Sequence, residues 1–151
     1  MGNPAWWFAL AAVIAVLGIM VVFKQLIGEM EAKLEKEETV TQESFQTYIS
    51  RFFMKVAIIE AVPIILTIVG FMQLEAYSET DLAAVMLPLV IVAIIWVFGI
   101  VNILLTRGRI LSIRDIPEQS KKFLQSVLFI GVALMSSFPI ISVVAILTMT
   151  A

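Results

Sequence analysis

An all-α membrane protein, with four transmembrane helices arranged as two tandem helical hairpins, is predicted by three features of this sequence. Its 151 residues are 61% hydrophobic and only 15% charged, a balance outside the range of ordinary soluble domains. Four apolar stretches, at residues 6–27, 52–71, 82–105 and 123–149, each reach the roughly 20 residues that a hydrocarbon core of about 30 Å demands. Finally, a pattern in the second stretch returns in the fourth at a constant spacing of 76 residues.

The first stretch lacks the basic leading segment and the small-residue cleavage site of a secretory signal, so it is expected to be retained as a helix. No Ser or Thr follows Met1-Gly2-Asn3 where a myristoylation signal places one. Trp6, Trp7 and Phe8 are expected to anchor this helix at the membrane interface. Beyond Gly28 the chain runs through Glu29, Glu31, Lys33, Glu35, Lys36, Glu37 and Glu38 with no further Gly or Pro. Helix 1 is therefore expected to project past the membrane as a solvated extension steadied by Glu and Lys at helical spacing.

Charge sets the expected orientation. The loop after helix 1 (28–51) carries Lys33, Lys36 and Arg51, and the loop after helix 3 (106–122) carries Arg107, Arg109, Arg114, Lys121 and Lys122. The connection at 72–81 has Glu75, Glu79 and Asp81 and no basic residue. By the positive-inside rule the first and third loops lie in the cytoplasm and both termini outside, in a membrane expected to be a bacterial plasma membrane.

The repeat divides the chain into hairpins at 1–75 and 76–151. Pro63-Ile64-Ile65 returns as Pro139-Ile140-Ile141, Val56-Ala57 as Val132-Ala133, and Phe53 as Phe129. Capping depends on polar residues at fixed spacing, which shared hydrophobicity does not supply. Thr39-x-x-Gln42 and Asp115-Ile-Pro-Glu118 read as capping boxes at the starts of helices 2 and 4, the latter with a proline in its first turn.

One carboxylate falls near mid-membrane: Glu60 in helix 2. An ionised acid at the bilayer centre costs at least about 2.5 to 3.5 kcal/mol, so it is expected to stay neutral or to find a partner. Pro63 cannot donate the hydrogen bond that would satisfy the carbonyl of Ile59, which leaves a free acceptor beside the acid. Thr67 shares the helical face and offers a hydroxyl. Lys55 lies about 140° around the helix from Glu60 and is expected to snorkel to the interface rather than pair with it. In the second copy Ser136 stands where Glu60 stood, followed by Ser137, with Pro139 retained. These small polar residues mark a degenerate second site or a close helix contact.

Residues 52–64 resemble the carboxylate helix of the proteolipid c subunit of rotary F-type and V-type ATP synthases. The resemblance is carried by the pair Phe52-Phe53 and by Glu60-Ala61-Val62-Pro63, an acid followed by Ala, a β-branched residue and Pro. It implies hairpins that assemble into a homo-oligomeric ring, with Glu60 carrying an ion past a stator-like membrane subunit. Ala61, standing where sodium-binding members place Ser or Thr, implies a proton. The tandem hairpins with one acid look like the doubled proteolipids of vacuolar-type ATPases, although there the acid sits in the last helix. Two features differ from the family: helix 1 offers only Gly18 and terminal Gly28 and helix 3 only Gly99, beside bulky Trp96 and Phe98, in place of closely spaced glycines, and neither cytoplasmic loop, acidic loop 1 or basic loop 3, has the short Arg-Gln-Pro turn.

The leading expectation is a ring-forming proteolipid that translocates protons. The alternative is a c-like ring outside any ATPase, acting as a pore, a scaffold or a partner-binding assembly. A four-helix monomer or dimer assisting assembly is a third possibility. With neither Cys nor His there is no soft metal site, and neither a cofactor nor a nucleic-acid partner is expected. No nucleophile paired with a base and no phosphate-binding glycine loop stands out, so stand-alone catalysis is not expected.

Overall fold

The computed structural model describes residues 2–36, 40–77, 81–113 and 115–151, which form four helices and no strand. They are α1 (Ala5–Glu35), α2 (Gln42–Leu74), α3 (Leu82–Leu111) and α4 (Glu118–Thr148). Each is long and apolar enough to cross a membrane, and the chain is an integral membrane protein. At 30 to 33 residues, each helix extends about 45 to 50 Å, well beyond the hydrocarbon core. Much of what the sequence marks as loops at 28–51 and 106–122 is accordingly helix. Glu, Lys, Gln and Leu favour helix once a bilayer-embedded segment has nucleated it.

α1 is the centre of the molecule. It packs against α2, α3 and α4, whereas α4 packs against α1 and α3 and only brushes α2, and α2 and α3 do not meet among the described residues. The N-terminal half of α1 turns Ala5, Ala9 and Ala12 into a cluster with Val85 and Val92 of α3 and Ala145 and Ile146 of α4. The C-terminal half contributes Ile19, Phe23, Ile27 and Met30 to a second cluster with Phe52, Val56, Ile103, Leu124 and Val127. Without a hydrophobic drive between helices in lipid, such contacts depend on close van der Waals fit. At Gly131 of α4 an added Cβ would sit 2.7 Å from Cε2 of Phe23, so the ring occupies the space a side chain would need.

Both capping boxes read from the sequence are corrected. α2 is capped by Thr41: its hydroxyl accepts from the Ser44 amide and the Ser44 hydroxyl accepts from the Thr41 amide, a reciprocal box that starts at Thr41 where Thr39 was expected. Thr39 lies outside the described residues. α4 starts after Pro117 with no side-chain cap, and Asp115 takes a left-handed φ of 61° that turns it away from the role. The starts Gln42 and Glu118 nevertheless keep the 76-residue spacing.

Phe8 is also corrected. It is fully buried, edge-on to Phe71 at 5.0 Å between ring centroids, and belongs to the core rather than to an interfacial belt. Trp7 donates from Nε1 to Gln73 Oε1 at 2.9 Å, leaving Trp6 as the outward-facing aromatic of the three. The acidic end of α1 differs from the expected self-steadied extension as well. Glu29 pairs with Arg51 of α2 at 3.6 Å and Glu31 with Arg109 of α3 at 3.1 Å, while Lys33 lies 5.9 Å over the Tyr48 ring. The α1 extension is held by the neighbouring helices.

Two substitutions test this packing in detergent-solubilised protein. Gly131→Ala forces a methyl into the Phe23 ring and is expected to lower unfolding stability by about 1 to 3 kcal/mol. Thr41→Ala removes the α2 cap and is expected to lower it by about 1 kcal/mol. Denaturant titration followed by circular dichroism measures both.

Candidate functional site

The inward seam of α2 is the row Phe52, Val56, Pro63 and Gly70, all buried. Glu60 sits about 60° around the helix from Pro63, on the flank of that seam, half-buried, with the exposed Phe53, Ala57 and Ile64 on its outer side. α1 and α2 approach closely at this depth, because Gly18 receives the side chain of Ile59 where a Cβ would collide with it. The acid thus lies beside this close contact of the two helices, at the border between the packed seam and the exposed face of α2.

Its partners are notable for their other engagements. Glu60 makes no hydrogen bond or ion pair among the described residues. The Thr67 hydroxyl, expected to serve the acid, donates instead to the Pro63 carbonyl at 2.8 Å. The Lys55 ammonium donates to Gln25 Oε1 at 3.1 Å, so it turns toward α1 and does not pair with Glu60. Pro63 is buried and interrupts the ladder at the Ile59 carbonyl as expected.

At the matching depth of the second hairpin the polar group is served. Trp96 of α3 donates from Nε1 to Ser136 Oγ at 3.0 Å. Ser137 turns back on its own helix, donating to the Leu134 carbonyl at 2.7 Å, and Pro139 is buried. The 76-residue repeat pairs Trp96 with Met20 and Ser136 with Glu60. The first hairpin therefore sets a thioether, which has no proton to donate, where the second sets an indole N–H. Trp96 passed unnoticed in the sequence as a donor; its position relative to Ser136 was the available signal, once the repeat was extended from α2 and α4 to α1 and α3.

Neither protein-family models, nor curated proteins, nor solved structures give a match to this chain. Function is therefore argued from the arrangement itself.

A third interior proline, Pro88 of α3, shows how the fold treats a freed carbonyl when it does supply a partner. The Ala84 carbonyl, four residues before it, accepts from Asn3 Nδ2 at 2.8 Å, while Asn3 Oδ1 accepts from the Ala5 amide at 3.0 Å. Among the described residues no group of three or more acids is placed to hold a metal ion. A lone carboxylic acid beside an interrupted helix ladder can do one simple thing: bind and release a monovalent cation, of which a proton needs no other ligand.

Replacing Trp96 tests the difference between the hairpins. Trp96→Phe leaves Ser136 without its donor and is expected to cost about 1 kcal/mol of stability. Ser136→Ala in the same background is expected to recover most of that loss, because both polar partners are then gone. A double-mutant cycle in detergent measures it.

Proposed function

We propose that this chain is a doubled, c-subunit-like proteolipid whose copies form a ring in the membrane and whose Glu60 binds and releases a proton. The observation that carries the reading is Glu60 itself: a carboxyl group in the membrane-spanning part of α2, without a partner, on a flank that the chain's own helices leave open. Its ionised form costs at least about 2.5 to 3.5 kcal/mol there, so a protonated resting state and deprotonation on meeting a complementary charge are the natural cycle. That charge belongs to a second, stator-like membrane subunit. The proline that shapes the helix and the Ala that follows the acid support a proton as the ion.

Assembly is supported by the arrangement of the helices. α2 and α3 occupy separate flanks of α1, and each carries a long uncovered apolar row: Ile58, Val62, Ile65 and Ile68 on α2, and Val90, Ile94, Val97 and Val101 on α3. Unlike faces on two flanks favour head-to-tail association, which closes into a ring when the rotation allows. The buried alanines of α1 supply the close approach that glycines supply in the family this chain resembles. The orientation that supports proton entry has the C-terminal ends of α1 and α3 in the cytoplasm of a bacterial plasma membrane and both termini outside.

A second reading, a c-like ring that is not part of an ATPase, is favoured by the inner ends of α1, α2 and α3. Where a rotor subunit offers a short turn to a stalk, this chain offers long helical extensions joined through Glu29–Arg51 and Glu31–Arg109.

Labelling with a hydrophobic carbodiimide, which attacks protonated acids in apolar surroundings, tests the role of Glu60. Modification is expected at Glu60 alone, slowing as the pH rises, and is expected to vanish in Glu60→Gln. An unreactive Glu60 at neutral pH removes the proton-binding reading. Co-purification distinguishes the two settings of the ring: a motor subunit brings stator and stalk proteins with it, and an independent ring elutes alone.

A further inference from the structure

An open groove runs between α3 and α4. Between α3 and α4, toward the basic end, Leu104, Leu128, Phe129 and Val132 make an apolar floor, and Arg107 and Gln125 stand at its mouth. Phe129 is 76% exposed, the most of any large apolar side chain described. Lys121 and Lys122 lie one turn before Gln125 on α4 and are exposed, as is Arg107. None of the three cations has an ion-pair partner among the described residues, and Glu118 in the same first turn of α4 does not reach them. The two ion pairs at this end use Arg51 and Arg109 instead.

The repeat gives the comparison that makes this groove informative. Its counterparts by the 76-residue offset are Gly28, Phe52, Phe53 and Val56; Phe52 and Val56 are buried in one cluster with Leu124 and Val127 of α4, while Phe53 stays exposed, though less than Phe129. Phe52 and Val56 are thus covered by the chain's own fourth helix, whereas nothing among the described residues covers Phe129. At the counterpart of Arg107 stands Glu31, so the rim has changed sign between the copies.

We propose that the α3–α4 groove binds an anionic phospholipid, with its phosphate held by Arg107, Lys121 and Lys122 and an acyl chain laid along Leu104, Leu128, Phe129 and Val132. A cationic rim above an apolar floor at the level of the headgroups matches both halves of such a lipid. A second copy of the chain matches neither. Inserted as α4 inserts in the first hairpin, the second copy's α2 would present Tyr48 and Arg51 where α4 presents Leu124 and Val127, and would bring a cation to a cationic rim. Free phosphate would satisfy the rim and leave the floor empty. The assignment does not depend on Glu60.

Native mass spectrometry of the full chain released from detergent, with phosphatidylglycerol and phosphatidylcholine in competition, tests it. Phosphatidylglycerol is expected to bind at least tenfold more tightly. Each cation near the surface contributes about a fivefold gain. Arg107→Gln is therefore expected to lose about that much, and the triple variant R107Q/K121Q/K122Q on the order of a hundredfold. Arg107→Lys, the distant control Lys24→Gln and Glu60→Gln are expected to keep the preference, and circular dichroism shows whether each variant keeps its helices. Equal binding of the two lipids overturns the proposal, as does an unchanged preference in a folded triple variant. Displacement of the lipid by inorganic phosphate alone, or by formation of a dimer, overturns it as well.

Discussion

Hydrocarbon cannot hydrogen-bond, and the rest of this structure follows from how each polar group inside the membrane is provided for. Backbone groups are met within the helices, and many side-chain groups are met one turn back, as Thr106 donates to the Asn102 carbonyl and Asn102 to Phe98, while Ser142 of α4 donates across to the Phe8 carbonyl of α1. Where proline breaks α3, the Asn3 side chain supplies the missing donor. Where a serine faces α3, Trp96 supplies one. Buried side-chain nitrogens and oxygens are all partnered among the described residues. Against that completeness Glu60 stands apart, because it is held at the flank of the seam, where it meets no hydrogen-bond or ion-pair partner among the described residues.

Close packing around α1 makes this selectivity possible. Small residues let backbones approach, and each approach fixes which side chains face each other. Gly18 admits Ile59 and draws α2 against α1 at the level of Glu60, while Gly131 admits Phe23 and draws α4 in. An acid one position beyond Ile59 is then carried off the seam by helical geometry alone, since one residue is about 100° of rotation. Had the seam been centred one residue later, Glu60 would face α1 and need a donor there. The position of the acid is thus a consequence of the register that Gly18 and Pro63 set.

The four spanning helices were legible in the sequence because bilayer thickness translates directly into run length, and their apolar cores were placed correctly. Their ends were not, since residues 28–35, 42–51 and 106–111 are helical through interactions that no single segment displays: Glu29 with Arg51, Glu31 with Arg109, and Tyr48 beneath Lys33. The capping boxes failed for a related reason. Ser and Thr are frequent between Thr39 and Thr47, and which of them caps depends on where the preceding helix lets the chain turn. Glu60 and Pro63 were visible as chemistry out of place in an apolar run. The engagement of Thr67, Lys55 and Ser136 elsewhere was not visible, because a residue's competing partners are known only once the helices are packed.

The 76-residue offset sets two polar positions, Glu60 of α2 and Ser136 of α4, at corresponding places, and the fold treats them differently. Retaining a carboxylate in both halves would mean the cost of a mid-membrane acid twice, at least about 2.5 to 3.5 kcal/mol for each when ionised. Replacing one by serine lowers that cost, but a hydroxyl left without a donor or acceptor remains unfavourable in hydrocarbon. An indole on the neighbouring helix settles the matter, because it fills the space and its N–H meets the hydroxyl. Once Trp96 occupies that depth, Ser136 is neither open nor protonatable, and the pair becomes part of the packing. Met20 of α1, at the place that corresponds to the indole, is a flexible thioether with no proton to donate, and Glu60 has no hydrogen-bond partner among the described residues.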